Sequence, residues 1–291
     1  MMMKKLTPVV LAAVCLGALS MTPAQAASKG KVLLIASSTD TIVLKDGRKD
    51  PTGYFLDELA VPTMRLIQAG YEVVLATPKG NIPVMDQVSN NVGLFYGDKA
   101  ALEKAINFVR HDPVMLHPIK ISDAVKSGLD AYAGVYVPGG HAPMNDLMQD
   151  KDFGKVLRYF HQHNKPTAFL CHGPIASLAA LDDAPGYRAA LVSGDAAKQM
   201  EKSRNWQYAG YRMTIYSNAE EYPVEKDVLK GRLPFYVADA LQIAGGTVEH
   251  APLGHGHVVR DRELITGQNP ASDHMIAEVM VNALNERQAD Q

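Results

Sequence analysis

Thr167-Ala168-Phe169-Leu170-Cys171-His172-Gly173-Pro174 is the stretch on which fold and chemistry both turn. A run of strand length stops at a cysteine, and His-Gly-Pro follows where a core strand would stay apolar. Pro174 suits the first turn of a helix, because its missing N–H has no partner to lose there. Strand, sharp turn and helix lift the Cys171 side chain out at the carboxyl end of a sheet. Open α/β sheets place their ligands at that edge. A helix N-terminus beside the sulfur favours thiolate over thiol. The other reading, a packed core thiol, stays open from this stretch alone, since free cysteine is often buried.

Working outward, Gly134-Val135-Tyr136-Val137 is a buried-type strand ending in Pro138-Gly139-Gly140-His141. Phe153, Leu157 and Phe160 mark a helix that Lys165-Pro166 breaks before the next strand. Near the start, Lys31–Ala36 forms a strand, and the polar Ser37–Thr52 stretch reads as a loop. Phe55, Leu56, Leu59, Met64 and Leu66 follow at roughly helical spacing up to Gly70. Tyr71–Ala76 is the second strand, closed by Thr77-Pro78-Lys79-Gly80. Strand, helix and strand with short joins is the unit that builds parallel sheets. Asn81–Asp130 shows a weak helical pattern around Lys99–Val109 and reads as an insertion or cap. Downstream, a polar, Gly-containing stretch fills Asp182–Tyr211, and a strand is expected at Met213–Tyr216. A helix opens at Pro234 and runs through Leu241 to Gly245-Gly246. A strand pair, Val258-Val259 and Leu264–Thr266, turns at Asp261-Arg262, and Ala277–Asn285 closes as a helix. The expectation is one α/β domain, with a parallel sheet and helices on both faces.

The first residues belong to a different kind of segment. Lys4 and Lys5, an apolar run from Pro8 to about Leu19, and Thr22-Pro23-Ala24-Gln25-Ala26 have the three-part layout of a secretory signal peptide. The apolar run is short for a membrane span. Residues 1–26 are therefore expected to be removed between Ala26 and Ala27, leaving a domain over 27–291 exported to the periplasm. Apolar content of 47% and charged content of 21% in 291 residues are ordinary for a globular protein. A net charge of −2 does not point to nucleic acid or an anionic membrane as a partner. Of two cysteines, Cys15 leaves with the signal, so the mature chain carries a single thiol and no intrachain disulfide.

A nucleophile needs a base and a pocket for developing negative charge. His172 is the base candidate, although neighbouring side chains often point apart. Gly139-Gly140, at another strand end, can present N–H groups to an oxyanion together with the N–H of His172. Gly173 lets the backbone fold tightly under the turn. Glu58 sits on the first helix, where spacing alone also fits a solvated carboxylate. His255-Gly256-His257 lacks the further ligands a metal site requires, so no metal is expected. The chain has no Gly-x-Gly-x-x-Gly loop and no Gly-Lys-Ser/Thr motif, so no cofactor is expected either.

Together these residues resemble the ThiJ/PfpI superfamily, within the class I glutamine amidotransferase-like group, and most of all its glyoxalase III and heat-inducible chaperone branch. The likeness rests on Thr52-Gly53 followed by Asp57-Glu58-Leu59-Ala60 and Pro62, on Ala76–Gly80, and on Asp86 with Ser89. It continues through Pro138–His141, Cys171–Pro174, Ser217–Glu221, Pro234-Phe235 and Leu264–Ser272. It implies a flavodoxin-like three-layer α/β/α sandwich and a homodimer. It also implies a triad of Cys171, His172 and Glu220, with Glu221 as the second choice, and a Glu58 that hydrogen-bonds the thiol. The implied reaction converts methylglyoxal or a related 2-oxoaldehyde to a 2-hydroxy acid without glutathione. A Cys-dependent amidase, peptidase or deglycase, a holding chaperone and a redox sensor are the alternatives. Tyr187–Tyr211 and Asn81–Asp130 depart from the branch's pattern at places that would shape the pocket mouth.

Overall fold

A computed structural model describes residues 28–289 of the chain, and the expected signal segment lies outside them. The central sheet has seven strands: β1 (Lys31–Ile35), β2 (Glu72–Thr77), β3 (Ile119–Lys120), β4 (Tyr132–Val137), β5 (Thr167–Leu170), β6 (Val258–Asp261) and β7 (Leu264–Gly267). Their spatial order is β6-β7-β5-β4-β1-β2-β3. Every pairing is parallel except the edge hairpin β6–β7, which turns one residue later than expected, at Arg262-Glu263.

Strand periodicity sends alternate side chains to opposite faces, and both faces here are covered. Leu33 and Ile35 of β1, Val135 and Val137 of β4, and Phe169 of β5 join one core. Phe153, Val156, Leu157 and Phe160 of helix Lys151–Gln162 cover that face. Val32, Leu34, Tyr136, Ala168 and Leu170 point the other way. They meet helices Leu56–Gln68 and Asp273–Ala289, which lie against each other. This is the three-layer sandwich expected from near-continuous apolar strands. Each fully buried Leu or Phe adds about 1.5–3 kcal/mol of transfer free energy.

Several local expectations need correction. Ser37–Thr52 is not all loop: Thr41–Val43 and Lys49–Pro51 pair as an antiparallel hairpin. Asp182–Tyr211 contains two helices, Ala184–Ser193 and Ala196–Lys202, each capped by an aspartate, Asp183 and Asp195. Of the expected Met213–Tyr216 strand only Met213 pairs, in a two-residue strand Arg212–Met213 against Thr247–Val248. The helix expected from Pro234 spans Val237–Ile243, and the last helix starts four residues before Ala277, at Asp273. No helix among the described residues is long and apolar enough to cross a membrane.

Candidate active site

Leu170 ends β5, and Cys171 follows with φ +59°. That left-handed conformation costs a non-glycine residue about 1–2 kcal/mol. Two backbone hydrogen bonds hold it there: the Cys171 N–H donates to the Gly267 carbonyl at 2.9 Å, and the Cys171 carbonyl accepts from Tyr216 N–H at 3.0 Å. A 3₁₀ helix, Gly173–Ala180, runs on from the turn where an α-helix would be usual. The thiol is only 3% exposed.

The two neighbours in sequence do meet. His172 Nδ1 lies 3.2 Å from Cys171 Sγ, and the imidazole stacks on Tyr216 with ring centroids 4.7 Å apart. His172 Nε2 donates to Glu221 Oε2 at 2.6 Å. A carboxylate only accepts, so this bond puts the imidazole hydrogen on Nε2 and leaves the Nδ1 lone pair facing the thiol.

The acidic partner is therefore Glu221, and the expected Glu220 has another task. Glu220 Oε2 accepts from Ser217 Oγ at 2.7 Å and from Gln268 Nε2 at 2.9 Å, while Oε1 accepts from Asn269 Nδ2 at 2.7 Å. With Ser217 it forms a capping box on helix Asn218–Val224. The pattern Ser217-x-x-Glu220 is a sequence signature of that role, and it leaves the next glutamate to face the histidine.

Glu221 holds a second histidine. His141 Nε2 is 3.0 Å from Glu221 Oε1, and the His141 and His172 rings meet edge to face at 4.4 Å. Nothing in the spacing of Pro138–His141 assigns His141 this role from sequence. The donor atoms of His141, His172 and Glu221 all lie within 4.8 Å of one another, the one set of metal-ligand spacing among the described residues. His255 and His257 are not part of it: His255 Nδ1 faces the Leu253 carbonyl, and His257 Nε2 lies 3.4 Å from Glu249.

On the other side of the thiol is Glu58, fully buried on helix Leu56–Gln68. Pro62, four residues on, has no N–H to give the Glu58 carbonyl, and the Tyr136 hydroxyl donates to it instead. Glu58 Oε2 accepts the Gly139 N–H at 2.9 Å. Gly139 is thus engaged and does not belong to an oxyanion pocket. Its role is space: a Cβ there would sit 2.5 Å from Glu58 Oε2 and 2.7 Å from Cys171 Cβ. Gly173 is also a close-approach glycine, against the Val137 carbonyl at 2.7 Å. The Gly140 and His172 N–H groups donate to nothing among the described residues, and Gly140 needs its φ of +87°.

The electrostatics follow from these contacts. Burial lifts Glu58 to about 8, against the hydrogen bonds from Cys171 and Gly139. Burial first, then the Glu58 charge, pushes the Cys171 thiol well above its ordinary range. The two groups cannot ionise together in this setting, so the pair keeps a proton at neutral pH. Burial also pushes Glu221 up, but the charges and hydrogen bonds of His172 and His141 outweigh it and hold Glu221 below the carboxylate range. His172 is lowered, mainly by burial, with Glu221 opposing and His141 adding to the effect. Beside Glu58, Asp57 is buried with both oxygens unpartnered, and burial followed by the Glu58 and Asp273 charges raises it.

A family model for DJ-1/PfpI proteins matches residues 52–283. The chain belongs to the DJ-1/PfpI family. A "Protein/nucleic acid deglycase HchA" from Staphylococcus aureus is 27% identical over 261 residues, spanning 88% of this chain and 80% of the relative. The protein of the same name from Pseudomonas aeruginosa is 25% identical, over 88% of this chain and 81% of its own length. The crystal structure of glyoxalase III from Candida albicans shares the fold, with a TM-score of 0.67, 22% identity, and coverage of 88% and 98% of the two chains. In this DJ-1/PfpI chain, the motifs that carried the likeness brace the site. Thr52 Oγ1 donates to Asp86 Oδ2 at 3.1 Å, and Ser89 Oγ accepts the Leu56 N–H at 2.9 Å, fixing the start of the Glu58 helix. Gln268 and Asn269, through Glu220, fix the start of the Glu221 helix.

Proposed function

We propose that the protein is a cysteine-dependent enzyme of the glyoxalase and deglycase type, converting methylglyoxal or a related 2-oxoaldehyde to a 2-hydroxy acid without glutathione. The observation that carries this reading is a thiol held between a proton-bearing carboxyl, Glu58, and the free nitrogen of a neutral histidine, His172. An internal redox shift between adjacent carbons needs a nucleophile and proton carriers on both sides of it. The relatives named deglycase and the glyoxalase III that shares the fold support a carbonyl chemistry of this general type. A nucleophile 3% exposed favours a small carbonyl substrate over a folded peptide.

In this mechanism His172 Nδ1 takes the thiol proton as sulfur bonds to the aldehyde carbon, and the carbonyl oxygen becomes the hydroxyl of a hemithioacetal. The oxygen's developing charge is met by the Gly140 and His172 N–H groups. Glu58, ionised by giving its proton to that oxygen, takes the proton from the carbon bearing sulfur as the His172 imidazolium protonates the ketone oxygen, giving an enediol. Glu58 then returns that proton to the neighbouring carbon while His172 takes the hydroxyl proton beside sulfur. The product is a thioester of a 2-hydroxy acid. Water cleaves it, releasing the acid and restoring the thiol, so the net reaction consumes one water and no external reductant.

Lactate release from methylglyoxal by the glutathione-free protein tests the reading. Activity that disappears in Cys171→Ala supports it, and an equal rate in that variant sinks the mechanism. A second reading, deglycation, is favoured by the relatives' names alone. Under it, a preformed methylglyoxal adduct of an amino acid would be consumed faster than free methylglyoxal. Export through residues 1–26 belongs to the same proposal, and recovery of the full-length chain in the cytoplasm would contradict it.

A further inference from the structure

His141 has no part in the chemistry above, yet it is buried against the acidic member of the site. Glu221 spans the two histidines, with Oε2 on His172 Nε2 at 2.6 Å and Oε1 on His141 Nε2 at 3.0 Å. One carboxylate carries one negative charge, and two imidazoles compete for it. If His172 took the charge-balancing proton at rest, its Nδ1 could not accept a proton from the thiol.

We propose that His141 is a positioning residue for the reaction: held as the resident cation on the far oxygen of Glu221, it neutralises that carboxylate and keeps His172 an uncharged base. The geometry is asymmetric in the required sense. His141 makes its one side-chain hydrogen bond to Glu221, while His172 is also tied to Cys171. The charged and titratable groups around His141 are Glu221, His172, Asp86, Asp50 and Glu58. Burial opposes a charged His141, but Glu221 by charge and hydrogen bond, with Asp86 and Asp50 behind it, turns the balance and raises it. His172 is lowered mainly by burial, and the His141 charge adds to that effect against the pull of Glu221. An opposite charge at about 4–6 Å shifts a titration by about 1–3 units, and a like charge acts in the reverse sense.

The consequence is a division of labour among three side chains. Glu221 orients His172 through Oε2. His141 prevents Glu221 from drawing a second proton onto His172 before substrate arrives. The imidazolium forms only when the thiol gives up its proton, beside a carboxylate already partly neutralised, so the proton returns readily in the next step.

The test separates charge from hydrogen bonding. His141→Gln and His141→Asn keep an N–H that can donate to Glu221 Oε1 and remove only the cation. The inference predicts that in both variants the His172 imidazole titrates about one unit or more higher by ¹⁵N NMR. The acid limb of kcat/KM should move up with it. In the wild-type protein, at pH 7, the His141 ring should show two protonated nitrogens and the His172 ring one. This last arm needs no variant to fold and no substrate, so it stands even if the reading of the reaction, on which only the kinetic arm rests, fails. A neutral His141 in the wild type, or a His172 titration unmoved in the variants, overturns the inference.

Discussion

Glu58 and Glu221 are two buried carboxyls on opposite sides of one Cys-His pair, and their protonation is pushed in opposite directions. Glu58 is packed among helix and strand residues, with one backbone N–H and a thiol for company, and burial lifts it to about 8. Glu221 is nearly as buried, but two imidazoles face it, and it is held below the ordinary range. Burial pushes both carboxyls up; it prevails at Glu58, where two hydrogen bonds oppose it, and is outweighed at Glu221, where two imidazoles do. A site with one carboxyl kept protonated and another kept ionised has separate places for giving a proton and for steadying a base.

The largest expected effect breaks the Glu221 side. Glu221→Gln removes the charge that both histidines face and should lower kcat about 10³–10⁴-fold, comparable with loss of the acidic member of other triads. Glu220→Ala, one residue away, should instead take one acceptor from each of the buried Asn269 and Gln268 amides and remove the cap with Ser217. Each buried N–H left without an acceptor costs about 1–3 kcal/mol, so that variant should lose thermal stability far more than turnover. Equal losses of turnover in the two would erase the distinction between them.

On the opposite side, Glu58→Gln keeps the size and polarity of the neutral carboxyl but carries no transferable proton. It should fold normally and lose about 10²–10⁴-fold in kcat. Its thiol alkylation rate should no longer show a step near pH 8, which stopped-flow measurements across pH would check.

The smallest effect concerns Asp57, the neighbour of Glu58. Its folded titration lies above that of an unfolded aspartate, so the folded state holds a proton that the unfolded chain releases. Stability is complete below about pH 4 and declines as pH rises above it. Asp57→Asn should therefore raise the melting temperature at pH 8 and change little near pH 4. A variant less stable at both would contradict the unpartnered state of Asp57.

Much of this was legible in the sequence, and what escaped did so for physical reasons. The alternation of Leu33 with Leu34 and of Val135 with Tyr136 makes nearly continuous apolar runs because both sheet faces are covered. Cys171-His172-Gly173-Pro174 marked the turn, since each residue type answers a backbone demand there. The choice between Glu220 and Glu221 went wrong because both sit in the first turn of one helix, and the capping box that separates them is easily overlooked. The Asn81–Asp130 stretch stayed obscure because helix Lys99–His111 buries only Ala105 and Phe108 and so carries a weak apolar pattern. His141 was invisible because its partner lies eighty residues away, on another helix.

The central claim is that Glu58 is protonated at neutral pH while Glu221 is not, and infrared difference spectroscopy of the wild type against Glu58→Gln tests it most directly. The account predicts a protonated-carboxyl band in that difference at pH 6.5, disappearing with a midpoint of about 8. A difference spectrum at pH 6.5 that shows only carboxylate bands for Glu58 would contradict it.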